Sequence, residues 1–524
     1  MNHTMHKYMK KAVIILFWLM VWQIAAIHID NHILLVGPVQ VLKAFVQNVI
    51  QPDFIKIVLG SLARIGLGFF LALFVGMVLG AVSYRFAIVE DILAPVIQTI
   101  KSIPVASFVV LLLIWFGSRR LSFFISFLIV FPNVYVNMIA GLKSADAGLL
   151  EMAKVFNIGR GKRFFYIYRP AMMPYLSNCL KISLGMSWKS GVAAEVIGLP
   201  DHSMGERLYM SKIYLDTAGL FAWTLTIILV SFLFEKAVLK LVQIFAEWKP
   251  YPKFHAAGFI DGFIDEGKRE YEGMQQRKNP EEIEKGTEKA KEKTKEYAGE
   301  KADIIKISHI DKSYGELPVL QDFCMSMEKG QRYLLMAPSG SGKTTLLKIL
   351  TGLENADRGE ITDMPQRIGV VFQEDRLCEE YDAICNIMLG MSRQSNCEYS
   401  LGNNGRAGVS LRYISNRRIE EYVRQEAVKI LPEECLTKPV KELSGGMRRR
   451  VALLRAVMSW AEMLILDEPF TGLDEENRIR CAEYLLENLK GRTLLVTTHR
   501  EDDIELLHGM KVTLVFSESL CYNA

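Results

Sequence analysis

The chain has 524 residues, too many for one ordinary domain, so its length indicates two to four domains. Half of the residues are hydrophobic, and the mean hydropathy of +0.16 is high for a soluble protein in which 23% of residues are charged. The net charge of +4 is too small to indicate a nucleic-acid-binding protein. The apolar residues are concentrated in the first half, which predicts a membrane domain followed by a soluble α/β domain.

The eight cysteines are scattered along the chain, none of them in a CxxC pair, and histidines are sparse and unclustered in the sequence. This pattern predicts neither a zinc site nor a disulfide framework. Most of the cysteines, such as Cys324, Cys385 and Cys481, fall in the half expected in the cytosol, where thiols stay reduced. Free thiols are therefore expected.

Six apolar stretches approach the length of about 20 residues that a helix needs to cross a bilayer. They are Ala12–Ile27, Leu59–Val82, Ile92–Phe116, Leu121–Ile139, Leu180–Ile197 and Leu220–Phe245. The first is interpreted as an uncleaved membrane helix rather than a signal peptide, because further apolar segments follow. Lys7, Lys10 and Lys11 precede it, and the basic segment 143–169 falls on the same side of the membrane, which places both termini in the cytosol. Arg119 and Arg120 are the exception to this rule.

A charged segment runs from about Asp265 to Asp303 and is dominated by Glu and Lys. It has too few apolar residues to bury a core, so a partly helical cytosolic linker is expected, with partner binding as the alternative. The predicted domains are a membrane domain at 1–250, the linker at 251–302 and a soluble domain at 303–524. In the last, short β-rich runs alternate with helical stretches, which is typical of a parallel α/β sheet.

A Gly-rich loop, APSGSGKTT, stands between the predicted strand Arg332–Ala337 and a helix that opens near Lys343. This context is that of a phosphate-binding loop, whose backbone N–H groups and helix N-terminus surround phosphates. Lys343 would reach the terminal phosphates and Thr344 would ligate Mg²⁺. The loop begins with Ala where Gly is usual. The predicted ATP-binding residues here are Ala337, Pro338, Ser339, Gly340, Ser341, Gly342, Lys343, Thr344 and Thr345.

A second apolar strand, Met463–Glu468, ends in two carboxylates. Asp467 would hold Mg²⁺ through water, and Glu468 would orient and polarise the attacking water. Phosphoryl transfer needs mainly positioning and charge neutralisation. These two carboxylates and the phosphate-binding loop are therefore nearly sufficient for phosphoryl transfer.

The motif LSGGM at Leu443–Met447 makes the combination specific, and residues 303–515 resemble the ATP-binding cassette family. The resemblance implies that Tyr314 stacks on adenine, that Gln373 contacts Mg²⁺ and faces the permease, and that His499 contacts the terminal phosphate. It also places Asp474 in the loop at the dimer interface. In this family the signature motif of one cassette closes over the nucleotide of another. Ser444, Gly445 and Gly446 would then bind the γ-phosphate across the interface, so two identical chains are implied.

The segment from Glu151 to Pro170 resembles the cytoplasmic coupling loop of bacterial importer permeases. Glu151, Ala153, Ile167 and Pro170 match that pattern in register, whereas Met152, Asn157 and Arg169 depart from it. A short amphipathic helix here would dock in a groove of the cassette near Gln373. The alternative is a basic helix that lies on the lipid surface.

The wider membrane domain, from Leu59 to Leu241, resembles the permeases of the nitrate, sulfonate and taurine branch, which share the type I importer fold. The resemblance rests on Ile100–Gly117 and Val192–Gly198. It implies a separate extracellular binding protein, and it leaves the ligand open among sulfonates, taurine, nitrate, bicarbonate and thiamine-precursor pyrimidines.

Charge inside a membrane span is costly and indicates function. The candidates singled out inside the predicted spans are Lys101, Lys189 and Glu195. One hypothesis is that the two lysines attract an anionic substrate. The structural alternative is that Lys101 reaches an interface and that Lys189 pairs with a carboxylate such as Glu195 across the dimer.

The sequence thus predicts an all-α membrane domain of about six transmembrane helices, followed by an α/β P-loop cassette. The expected protein is a homodimeric half-transporter of the bacterial cytoplasmic membrane that uses ATP and Mg²⁺ to import a small solute, without nucleic acid. The alternatives are an exporter of the same superfamily and a membrane-anchored regulatory ATPase.

Overall fold

A computed structural model describes residues 2–29, 31, 33–248, 304–336, 340–391 and 416–513. The chain divides into two compact units: Met1–Ala145 with Tyr168–Trp248, and Asp146–Ile167 with Lys249–Ala524. The second unit takes in residues 146–167, which the sequence assigned to the membrane domain. The predicted linker at 251–302 lies outside the described residues, and the three domain boundaries stay predictions.

The first unit consists of helices. They are α1 (Asn2–Ile29), α2 (Pro38–Ile50), α3 (Phe54–Arg85), α4 (Ala87–Ser102), α5 (Val105–Phe116), α6 (Ser118–Lys143), α9 (Arg169–Gly198), α10 (Met204–Ile213) and α11 (Thr217–Glu247). Helices α3, α6 and α9 form its core. Small residues let α3 and α6 approach closely: a Cβ on Gly68 would lie 2.3 Å from the carbonyl oxygen of Phe123, and one on Gly76 would lie 2.9 Å from Val134.

All six predicted spans fall on helices, but they differ in how well they suit a bilayer. Among the described residues, α3, α6 and α11 are long and apolar enough to cross a membrane, and α4 with α5, bent by 103°, could form a fourth span. The apolar part of α1 is shorter, and α9 carries Lys181, Lys189 and Glu195. By length and composition the structure therefore supports three of the six spans, or four if the bent pair is one span, and the others stay predictions.

The second unit begins with a short helical segment, α7 (Ala147–Val155), α8 (Arg160–Arg163) and a π-helical turn that starts at Phe164. A three-stranded antiparallel sheet follows, in the order β2-β1-β4. A five-stranded sheet, parallel at every pairing, has the order β5-β6-β7-β3-β8. The strands are β1 (Ile304–Tyr314), β2 (Leu317–Glu328), β3 (Arg332–Met336), β4 (Arg358–Thr362), β5 (Ile368–Val371), β6 (Met463–Asp467), β7 (Thr493–Thr498) and β8 (Met510–Thr513).

Helices cover the parallel sheet, as crossover connections require. They are α12 (Lys343–Leu350), α13 (Ala383–Gly390), α14 (Asn416–Ala427), α15 (Gly445–Val457), α16 (Glu475–Glu487) and α17 (Asp502–Leu507). Every residue of β6 and β7 is buried, which explains their continuous apolar sequence. The predicted fold class, a helical permease followed by an α/β P-loop cassette, is confirmed.

Candidate ATP-binding site

The carboxyl ends of three neighbouring strands place the predicted nucleotide-binding residues together. Strand β7 lies between β3 and β6, with Met336 beside Thr498 and Asp467 beside Thr497. The phosphate-binding loop follows β3, Glu468 follows β6 and His499 follows β7. Because all three strands run in the same direction, these groups meet at one edge of the sheet.

A cleft of about 300 Å³ opens at this edge. Its lining contains half of the residues predicted to bind nucleotide or Mg²⁺ or to act in hydrolysis: Gly340, Gly342, Lys343, Thr344, Thr345, Gln373, Asp467, Glu468 and His499, together with Val319. Ala337, Pro338 and Ser339 lie outside the described residues. The hydroxyl of Ser341 is buried, and it has no hydrogen-bond partner within the part of the chain that the structure describes.

Lys343 is the first residue of α12 and is largely buried. Burial lowers the pKa of its ammonium group, and the nearby carboxylates of Glu468 and Asp467 oppose that shift. Its Nζ lies 3.3 Å from Nε2 of His499. Gly342, directly before it, has φ +80°, and a Cβ there would lie 2.9 Å from the carbonyl oxygen of Val319. The loop therefore needs glycine at this position.

The two carboxylates after β6 have different surroundings. Asp467 accepts a hydrogen bond of 2.5 Å from the hydroxyl of Thr497, and burial raises the pKa of its carboxyl group. Glu468 has a left-handed backbone, φ +49°, and its N–H donates to the carbonyl of Thr497 at 3.1 Å. Its Oε1 lies 2.7 Å from Nε2 of His499. His499 thus lies beside both Lys343 and Glu468.

Arg449 on α15 is a residue that the sequence analysis missed. It is buried, and its guanidinium donates to the carbonyl oxygens of Phe372 at 2.7 Å and of Glu468 at 2.7 Å. It also pairs with Asp375 at 3.1 Å. One side chain therefore joins α15 to the ends of the neighbouring strands β5 and β6. The sequence feature that could have indicated it is a run of Arg residues on a helix whose other positions are apolar.

The remaining predicted nucleotide residues are not part of the lining of this cleft. Tyr314 is 47% exposed and donates to Glu354 at 2.7 Å. Ser444 caps α15, with Gly445 and Gly446 in its first turn, and Asp474 caps α16. The structure of one chain does not bring the signature motif to the phosphate-binding loop, so its predicted role requires a second cassette.

The predicted coupling segment packs against the cassette within the second unit. Glu151 forms an ion pair of 2.7 Å with Arg376. Lys154 donates to the carbonyl of Gly352 at 2.7 Å, and the hydroxyl of Tyr381 donates to the carbonyl of Phe165 at 3.0 Å. Polar contacts therefore hold the segment at both of its ends.

Apolar burial accompanies these polar contacts. Ala153 and Ile167 are buried, as are Met152, Phe156 and Ile158. The ring of Tyr166 lies 4.8 Å from that of Tyr381, and the guanidinium of Arg455 lies 5.3 Å from the Phe156 ring. Pro170, the last predicted residue of the coupling loop, lies in α9 of the first unit. The segment therefore buries one apolar side within the second unit, while Lys154, Asn157 and Arg160 are exposed.

The charged residues predicted inside the membrane spans differ in their surroundings within one chain. Glu195 is fully buried and pairs with Arg64 at 3.1 Å, not with Lys189. It also accepts hydrogen bonds from the hydroxyl of Ser61 at 2.7 Å and from the N–H of Gly205 at 3.3 Å. Lys101 and Lys189 are exposed, and neither has an ion-pair partner among the described residues. Pairing of Lys189 with a carboxylate across the dimer stays a prediction, because it involves a second chain.

The comparisons with known proteins match both parts of the chain. The family model for the binding-protein-dependent transport system inner membrane component matches residues 68–243, and that for the ABC transporter matches residues 320–471. The aliphatic sulfonates import ATP-binding protein SsuB 1 of Nocardia farcinica is 33% identical over 213 residues, which cover 40% of this chain and 77% of that protein. The chain therefore belongs to the ABC transporter family. It is a multi-pass membrane protein that carries a permease and an ATP-binding cassette in one polypeptide.

Other relatives match over a smaller share of their length. The sulfate/thiosulfate import ATP-binding protein CysA of Xanthomonas campestris pv. campestris is 34% identical, over 38% of this chain and 59% of that protein. The Nod factor export ATP-binding protein I of Burkholderia orbicola is 34% identical, over 39% of this chain and 65% of that protein. The chain thus spans about three fifths of the length of these relatives. Among solved structures, the dimeric MJ0796 bacterial ABC transporter cassette has a TM-score of 0.34 at 23% identity, covering 42% of this chain and 100% of that one.

Proposed function

We propose that two copies of this chain form an ATP-driven importer of a small anionic solute in a bacterial cytoplasmic membrane. The observation that carries the proposal is the packing of residues 146–167 against the cassette. Arg376, which pairs with Glu151, is three residues after Gln373, which lines the cleft. A change at the nucleotide site can therefore reach residues 146–167 through the four consecutive residues 373–376.

The cleft suits ATP with Mg²⁺. Its oxygen donors are the Thr344 hydroxyl, the Gln373 amide and the Asp467 carboxylate, which are the ligands that a hard cation prefers. These residues would hold Mg²⁺, directly or through water, and the ion would neutralise phosphate charge. The buried hydroxyl of Ser341 is available to a phosphate oxygen.

The protein side chains supply charge and positioning. Lys343 brings its ammonium group to the terminal phosphates, and Glu468 orients the attacking water and accepts its proton. His499 lies within 3.3 Å of Lys343 and 2.7 Å of Glu468, so it can couple the position of the base to that of the phosphate. The buried carboxyl of Asp467 is fixed by Thr497.

The homodimer completes this site. Ser444, Gly445, Gly446 and Asp474 do not line the cleft of their own chain, so their role in ATP binding needs the cassette of a second copy. Closure of two cassettes over two nucleotides would drive the permeases through their coupling segments. We place both termini in the cytosol, from the basic residues near the first span.

The substrate class is inferred from relatives and from charge. Two relatives are named for import of sulfate, thiosulfate or aliphatic sulfonates. The permease match is to components of binding-protein-dependent systems, which supports delivery by a separate extracellular binding protein. Lys101 and Lys189 are exposed cations available to an anion. Glu195 has a structural role instead, because it pairs with Arg64 and accepts a hydrogen bond from Ser61.

Uptake by intact cells tests the proposal. A strain lacking this gene would carry either the wild type or Glu468→Gln, and would be offered labelled sulfate, aliphatic sulfonates, taurine, nitrate, bicarbonate and an aminopyrimidine. We expect the wild type alone to accumulate one anion. Lower accumulation of a compound with the wild type would contradict import and support an exporter, the class of one relative.

Lys189→Met in the same strain tests the path of the anion. We expect it to impair uptake of an anion but not of a neutral solute, because it removes charge and keeps most of the side-chain volume. Equal uptake of the anion by Lys189→Met and the wild type would remove Lys189 from the proposed path.

Exchange of the Glu151–Arg376 charges tests the coupling contact. Each single variant, Glu151→Arg or Arg376→Glu, should lower uptake about fivefold or more, because a partly exposed ion pair contributes on the order of 1 kcal/mol. The double variant should recover most of the uptake. ATPase activity, measured in parallel, should persist in all three.

The matched control exchanges the charges of Arg367 and Glu462, an exposed pair of 3.0 Å elsewhere on the cassette. That exchange should leave uptake unchanged. If Glu151→Arg transports as well as the wild type, the contact does not couple the two parts.

A further inference from the structure

Three side chains of different chemistry converge on the antiparallel sheet of the cassette, outside the ATP-binding cleft. They are His309 on β1 and Asp322 and Cys324 on β2, and one ligand atom from each lies within 4.8 Å of the others. The sequence analysis predicted no zinc site because the histidines are unclustered along the chain. That prediction missed this cluster, because 13 residues separate His309 from Asp322.

A β-bulge brings the three residues to one face. The pairing of β1 with β2 shifts register between Ile307 and Ile310, and His309 lies inside that irregular stretch. Its backbone is left-handed, φ +51°, as is that of Asp322, φ +49°. Asp322 and Cys324 are two residues apart on one strand and so share a face. Bulges of this kind redirect a side chain, and here the bulge directs His309 to the other two.

The contacts show that the three groups already face one another. Nδ1 of His309 lies 2.5 Å from Oδ1 of Asp322 and 3.8 Å from Sγ of Cys324. The backbone N–H of His309 donates to the same sulfur at 3.3 Å. The sulfur of Cys324 thus lies beside both the ring and the backbone of His309.

We propose that His309, Asp322 and Cys324 form a site for a labile Zn²⁺ ion. Imidazole nitrogen, thiolate sulfur and carboxylate oxygen are the three ligand types that zinc takes in proteins. The 3.8 Å between nitrogen and sulfur is close to the roughly 3.5 Å that tetrahedral Zn–N and Zn–S bonds require. Hard cations such as Mg²⁺ and Ca²⁺ prefer all-oxygen sites, so this set excludes them.

Binding requires one local change and releases protons. The 2.5 Å contact between His309 and Asp322 is too short for two ligands of one ion, so the carboxylate must swing aside as zinc enters. Zinc binding replaces the proton of the Cys324 thiol, and that proton passes to solvent. The side chains of His309 and Asp322 are 67% and 64% exposed, so water can take the fourth position and the ion can exchange.

The bound ion would join β1 to β2 across the bulge. This hairpin carries Tyr314 at the end of β1 and Val319 on β2, and Val319 lines the ATP-binding cleft. Zinc would therefore stabilise the strand pair at the place where its backbone hydrogen bonding is irregular, without entering the cleft itself.

Protection of Cys324 from alkylation tests the proposal on the full-length, nucleotide-free protein in detergent. Cys324 is the only cysteine of the described residues that is not buried, so a maleimide should label it, as peptide mass spectrometry would show. We expect a small excess of Zn²⁺ to slow labelling at Cys324 about tenfold or more, because a metal-bound thiolate is a poor nucleophile. His309→Gln should remove most of that protection.

A Co²⁺ titration gives a second, independent measurement. The wild type should show a sulfur-to-cobalt charge-transfer band, and Cys324→Ser should not. His508→Gln replaces an exposed histidine outside the cluster and is the matched control, which should behave as the wild type. Zinc protection that persists in His309→Gln, or a cobalt spectrum without sulfur ligation, would overturn the proposed site.

Discussion

Replacing Glu468 with Gln should lower ATP hydrolysis by about 100-fold or more while ATP binding persists. The amide keeps the size of the side chain and can still accept from Thr471, whose hydroxyl donates to Glu468 at 3.3 Å. It cannot accept a proton from water, and loss of a general base typically costs about 10²–10⁴ in rate. Phosphate release and nucleotide binding would be measured on the same purified protein.

Glu476→Gln is the matched control for that variant. Glu476 is 85% exposed on α16, and its ion-pair contact among the described residues is an i,i+4 contact of 3.6 Å with Arg480, so its loss should leave hydrolysis intact. ATP-dependent association of two Glu468→Gln chains, seen by light scattering, would also support the proposed dimer. Rapid hydrolysis by Glu468→Gln would show that the base lies elsewhere.

Glu195→Ala should destabilise the membrane domain by about 3 kcal/mol or more, because removing one partner of a buried ion pair leaves the other charge uncompensated. The change would remove the ion-pair partner of Arg64 and the acceptor of the Gly205 N–H, at the start of α10. The contacts of Glu195 join α3, α9 and α10, so all three helices lose a shared acceptor. The loss of stability would be measured by thermal unfolding of the protein in detergent.

Two further variants separate charge from position. Glu195→Gln should cost less than Glu195→Ala, because the amide oxygen still accepts hydrogen bonds. Glu247→Gln alters an exposed carboxylate at the end of α11 and should have no effect. A Glu195→Ala protein as stable as the wild type would mean that Arg64 finds another partner.

The fold could be predicted where local sequence determines it. Apolar runs located the helices of the first unit, and the order of motifs identified the cassette fold and the family. The number of spans is less certain from composition, because α9 carries charges whose cost depends on partners in other helices. Arg64 lies 131 residues from Glu195, and no local pattern links them.

The candidate site shows the same division. Lys343, Asp467 and Glu468 could be singled out because each follows a strand in a recognisable motif, and their roles stay predictions. Arg449 could not be singled out, because its structural role depends on hydrogen bonds to carbonyl groups that tertiary packing brings close to it. The proposed metal-binding cluster has no signature in the sequence, because a bulge, not spacing, aligns His309 with β2.

The second compact unit is discontinuous in the chain, and this bears on how the protein is made. Residues 146–167 leave the ribosome long before their partners: Lys154 precedes Gly352 by 198 residues, and Phe165 precedes Tyr381 by 216. Until then Met152, Phe156 and Ile158 lack the surface that buries them. Fusion in one polypeptide makes the later docking intramolecular, so it does not depend on protein concentration and fixes a ratio of one cassette to one permease.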